Sequence, residues 1–81
     1  MAPKNPARPL FQIAKDIRQS WTKINVHAKH HLDALDFLDS INDKYYEDSA
    51  KSVVSYFLAN AETWRGETAR EIKKELNALL K

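Results

Sequence analysis

The chain predicts an all-α fold: a compact bundle of four short helices behind a disordered, proline-rich N-terminal arm. Three observations carry that reading. All three prolines lie within the first nine residues, and Gly66 is the only glycine, so the rest of the chain is nearly free of helix-disrupting residues. Apolar residues recur at spacings of three and four, the helical period, rather than two. The make-up, 43% apolar and 30% charged, is that of a globular domain. Eighty-one residues suffice for one domain and one core. The boundaries are therefore an arm over 1–9 and a single helical domain over 10–81.

The arm, "MAPKNPARP", combines proline with Lys4 and Arg8 and ends on Pro9, which suits a first helical turn. The first helix is expected over about 9–22. Leu10, Ala14, Ile17 and Trp21 form its stripe, flanked by Ile13 and Ile24, within about 100° of the wheel. Phe11 falls off that stripe and is expected to cover an end of the bundle. The second helix is expected over about 26–41, with Ala28, Leu32, Leu35, Leu38 and Asn42 facing one way. Ala34, Phe37 and Ile41 widen its apolar side, and His31 projects towards it. Residues 43–48, "DKYYED", read as a polar loop, after which Asp48 or Ser49 caps the third helix.

The third helix, over about 49–64, carries the densest stripe: Ala50, Val53, Val54, Phe57, Leu58, Ala61 and Trp64. "TWRGE" then marks a joint. Glycine enters the left-handed conformation that ends helices, so Gly66 is expected just past the third helix. Arg65 would face the negative end of that helix and Glu67 the positive start of the next, with Trp64 plugging the corner. Thr68 to Glu71 also has capping-box spacing, so the start of the fourth helix is expected at Gly66 or at Thr68. The fourth helix is expected over about 67–80, with Ala69, Ile72, Leu76, Leu79 and Leu80 inward.

Several function classes fall away. The absence of cysteine excludes disulfides, thiol catalysis and thiolate metal sites. No apolar run approaches a membrane span, and the N-terminus lacks a secretory apolar core, so a cytoplasmic protein with no membrane role is expected. His27 and His31 are one helical turn apart, but no third ligand accompanies them and position 28 is alanine. Asp33, Asp36, Asp39 and Asp43 follow a helix rather than a calcium loop. No nucleophile or phosphate-binding motif is present. Neither a catalytic residue nor a cofactor or metal is assigned.

The charge pattern says more than the net charge of +2. Residues 1–31 are basic, 32–48 strongly acidic, and 49–81 mildly basic. Oppositely charged helices could simply lie side by side. The sharper reading makes the acidic stretch a surface for a basic protein partner, through Asp33, Asp36, Asp43, Tyr45, Tyr46, Glu47 and Asp48, since tyrosine is enriched at binding hot spots. The alternative is a small nucleic-acid-binding protein using Lys4, Arg8, Lys15, Arg18 and Lys23. A monomer and a homodimer both suit the wide apolar side of the second helix.

The stretch "DSAKSVVSYFLANAETWRGETAREIKKEL", with "TWRGE" as its most specific part, resembles the C-terminal half of a family of small bacterial proteins of phages, plasmids and other mobile elements. The resemblance covers a little over half of the chain. It carries no activity and no functional residues. It implies a setting in a bacterial host cell, in which an accessory protein binds and inhibits one host or element-encoded protein.

Overall fold

The protein is described by a computed structural model covering residues 8–81. Four helices occur among these residues: α1 Leu10–Ser20, α2 Val26–Leu35, α3 Ala50–Ala59 and α4 Glu67–Leu80. Between α2 and α3 the chain makes a small antiparallel hairpin, β1 Lys44–Tyr45 and β2 Asp48–Ser49. The polar loop expected there is thus an ordered two-stranded element on an otherwise helical fold. The arm expected over 1–9, with Lys4, lies outside the described residues except for Arg8 and Pro9. These two are placed against the bundle: the Arg8 guanidinium pairs with Glu75 of α4 at 2.9 Å and also with Asp16 of α1.

The core follows the helical stripes. Leu10, Ile13, Ala14, Ile17 and Trp21 share one buried cluster with Ala28, Leu32, Leu35 and Leu38, with Val53, Val54 and Phe57, and with Ala69, Ile72 and Leu76. Helices α2 and α3 form the closest pair, and one side chain ties their ends. Asn25 caps α2 by accepting from the Ala28 amide at 2.8 Å, and its Nδ2 donates to the Asn60 carbonyl at the end of α3 at 2.9 Å. Two unpaired helix ends are thereby satisfied by one residue.

Two helices are shorter than their periodicity predicts. After Leu35 the hydrogen bonds tighten to three-residue spacing, from Asp36, Phe37 and Leu38 back to Asp33, Ala34 and Leu35. The carbonyls of Leu38 and Asp39 are then free to accept from the Phe11 and Leu10 amides at 3.0 and 2.8 Å. Pro9 has no capping side chain, so this unwound turn caps α1 with backbone. Phe11 remains exposed rather than covering the end of the bundle. Helix α3 likewise ends at Ala59, where the Asn60 side chain donates to the Tyr56 carbonyl at 2.8 Å. Successive three-residue turns keep Ala61 and Trp64 facing the core beyond the helix.

Gly66 is therefore not the residue after α3. It is the N-cap of α4, with φ 114° and ψ 176°. That region is open essentially to glycine alone, and occupying it costs other residues about 1–3 kcal/mol. A Cβ built there meets nothing within 4 Å, so the requirement is conformational rather than steric. Gly66→Ala is expected to lower stability by about 1–3 kcal/mol, read from the urea midpoint. A loss under about 0.5 kcal/mol would mean that the joint relaxes into an ordinary backbone conformation.

Candidate functional site: the hairpin face

The hairpin has a two-residue connection, Tyr46-Glu47. Tyr46 stands at its first position with φ 57°. Tight hairpin turns favour positive φ there because it matches the twist of the strands, and glycine or asparagine normally supplies it. In the ladder Tyr45 faces Asp48 and Lys44 faces Ser49. Side chains alternate across a strand, so Tyr45 and Asp48 share one face and Lys44 leaves by the other.

Tyr45 is half-buried and packs on the core, anchoring a row of rings. Phe37 lies 5.9 Å from it and Tyr46 4.7 Å, edge to face. Phe37 is 75% exposed and Tyr46 85%. On the α2–α3 side, His31 stacks on Tyr56 at 5.4 Å, and His30 meets His31 edge-on. Between the two groups lies a shallow cleft of about 300 Å³, lined by His30, His31, Asp33, Ala34, Tyr45, Asp48 and Val53.

The acidic residues of this region divide by what holds them. Asp43 accepts from the Asp39 and Ser40 amides, both at 3.0 Å, and so caps its own turn. The Ser40 and Asp39 amides hold its carboxyl below the usual carboxylate range. Asp33 and Asp36 share the Arg18 guanidinium, at 3.0 and 2.6 Å, and Lys29 reaches Asp33 at 3.3 Å. The Arg18 hydrogen bond depresses the Asp33 pKa most, with Lys29 adding to it. These two acids therefore join α2 to α1, an arrangement in which charged segments neutralise one another. Glu47 and Asp48 are exposed and form no ion pair among the described residues.

Of the cations assigned to the nucleic-acid alternative, Arg8 and Arg18 are held by carboxylates. Lys15 and Lys23 are exposed without a carboxylate partner among the described residues. The joint residues lie away from the hairpin. Trp64 is buried at 2% exposure, and Arg65 and Glu67 are on the surface. With α3 ending at Ala59, Arg65 is six residues beyond the helix end and outside the reach of its dipole.

His30, His31, Phe37 and Tyr56 join the face but were not among the site residues read from sequence. The signal for His31 was its place on the apolar side of α2, and it is half-buried. Burial pushes its pKa down, with His30 and then His27 adding to the effect and the charge of Asp48 opposing it. The signal for Phe37 was its part in the wide apolar side of the second helix; helical spacing alone keeps it on that side, and the early end of α2 turns it out. Among the described residues no group of His, Asp or Glu could hold a metal ion, and no helix is long and apolar enough to cross a membrane. What these side chains can do together is recognise: rings supply contact area and carboxylates supply charge. Comparison with family models, with curated proteins and with solved structures returns no match to this chain.

Proposed function

We propose that this domain is a non-enzymatic binding module whose hairpin face occupies, and so modulates, a protein with a basic surface. The observation that supports it best is the exposure of Phe37 and Tyr46 on either side of the anchored Tyr45. Exposed aromatic side chains grouped beside charged ones mark interaction sites more often than bare surface. The carboxylates of Glu47 and Asp48, which form no ion pair among the described residues, set the sign of the partner. The likeness of the C-terminal half to mobile-element proteins supplies the setting, an accessory protein acting on one target in a bacterial host cell.

The test is capture from bacterial lysate by the tagged chain, with and without nuclease, compared with a Phe37→Ala/Glu47→Lys variant. Both positions are exposed, so the variant is expected to keep its far-UV helix signal. Glu47 is the better charge to reverse than Asp36, because reversing Asp36 also breaks the tie to Arg18. One protein is expected to survive nuclease treatment and to be reduced about tenfold or more by the variant, the scale of losing a hot-spot residue. A captured protein that ignores the variant would place the surface elsewhere. Enrichment that disappears with nuclease would favour the nucleic-acid reading through Lys15 and Lys23.

A further inference from the structure

Resting on that reading of the hairpin face, we propose that its cleft receives an arginine side chain of the partner, with the guanidinium against Asp48 and the stem over Ala34 and Val53. The cleft has three kinds of wall, and each suits one part of that side chain. Its floor is apolar and buried, formed by Ala34 and Val53, which suits a methylene stem. The rings of His31 and Tyr45 line it. Planar guanidinium stacks on such rings, whereas an ammonium is a compact, strongly hydrated point charge. Asp48 supplies the anion from the hairpin side.

The carboxylates of the cleft are not equivalent, and this fixes where the charge goes. Asp33 Oδ1 accepts from Arg18 and Oδ2 from Lys29. Asp48 accepts no side-chain hydrogen bond and forms no ion pair among the described residues. Of the two lysines closest to it in sequence, Lys51 is exposed on the first turn of α3 and forms no ion pair with it, and Lys44 leaves by the opposite face of the hairpin because it is paired with Ser49. Beside the cleft, Arg18 already spans Asp33, which lines it, and Asp36. A guanidinium at Asp48 would repeat with a partner's residue what Arg18 does within the chain. The volume, about 300 Å³, is at the lower end for ligand pockets and suits one side chain.

The test uses the full chain, isotope-labelled, with amide shifts followed during titration with N-acetyl-arginine amide. N-acetyl-citrulline amide has nearly the same shape without the charge, and N-acetyl-lysine amide has the charge without the plane. Saturable shifts are expected at His31, Ala34, Tyr45, Asp48 and Val53. Citrulline is expected to bind about three- to fivefold more weakly, the worth of one solvent-screened ion pair, and lysine is expected to bind more weakly than arginine. Asp48→Asn should reduce arginine binding by a similar factor while the spectrum stays dispersed. Equal binding of arginine and citrulline, shifts confined to other residues, or indifference to Asp48→Asn would each overturn the proposal. Its failure is separable from that of the face as a whole. If capture from lysate is still lost in Phe37→Ala/Glu47→Lys while arginine leaves the cleft unmoved, the face stands and its anchor is not arginine. If neither responds, both readings fall.

Discussion

Trp64→Ala is expected to lower stability by about 3–5 kcal/mol, the cost of truncating a large buried aromatic. A domain of this size has in all about 4–12 kcal/mol, so the variant should lose a quarter or more of its total stability. The ring is 2% exposed. It stacks on Trp21 at 5.5 Å with planes 8° apart, and Phe57 lies edge-on to both at 6.4 and 6.2 Å. The three rings come from the end of α1, the body of α3 and the turn before α4, so removing one unseats three elements. Lys73 of α4 also donates to the Trp64 carbonyl at 2.7 Å and lies 5.9 Å above the ring. Trp64→Phe should cost far less, about 1 kcal/mol. The Trp64 Nε1 is buried with no hydrogen-bond partner among the described residues, and a desolvated, unpaired donor costs about 1–3 kcal/mol. Phenylalanine removes that penalty along with part of the contact area. Urea unfolding of both variants checks the pair. If Trp64→Phe is as damaging as Trp64→Ala, contact area outweighs the unpaired donor and the second half of the account is wrong.

The helical stripes were legible because they are set by period alone. The inward residues of α1 and α4 were read one by one, and so was the start of α4. What was not legible depends on partners distant in sequence. No local rule says that α2 ends at Leu35. It ends there because the amides of Leu10 and Phe11 need the carbonyls of Asp39 and Leu38. Propensity continues the helix, and the tertiary cap overrides it. The same event turns Phe37 from a core residue into a surface one, so an error of a few residues at a helix end changes the reading of the candidate site. Gly66 is legible as a joint and as one of two possible starts of α4, which it caps; its expected place just past α3 fails because that helix already ends at Ala59, where the Asn60 side chain takes the Tyr56 carbonyl. Composition placed the acids of the middle segment together. It could not separate Asp33 and Asp36, which bind Arg18, from Glu47 and Asp48, which do not. That division needs the packing of α1 against α2, and it narrows the surface from the whole acidic stretch to the hairpin.

Tyr46→Gly is expected to move stability and binding in opposite directions. A bulky residue at φ 57° is uncommon, and the left-handed region costs it roughly 1–2 kcal/mol. Glycine removes that cost but loses more entropy on folding, by about 0.5–1 kcal/mol. It also forfeits the edge-on contact with Tyr45 at 4.7 Å, worth little at 85% exposure. The net change is a gain of about 0.5 kcal/mol or none, read as a small upward shift of the urea midpoint. Capture of the partner should fall about tenfold or more, as when a hot-spot tyrosine is truncated. A residue present for folding alone would show the reverse: stability would drop with the ring, and capture would follow only through unfolding. The comparison is informative because strained backbone persists where something other than stability selects it. The hairpin needs a residue of positive φ at its tip, and glycine or asparagine would satisfy that need without strain. Beyond its edge-on contact with Tyr45 the ring packs little of the core, which is why the proposed binding role predicts a loss of capture without a loss of stability. A Tyr46→Gly variant that loses more than about 1 kcal/mol while capturing its partner normally would assign the ring to the hairpin and remove the tip from the binding face.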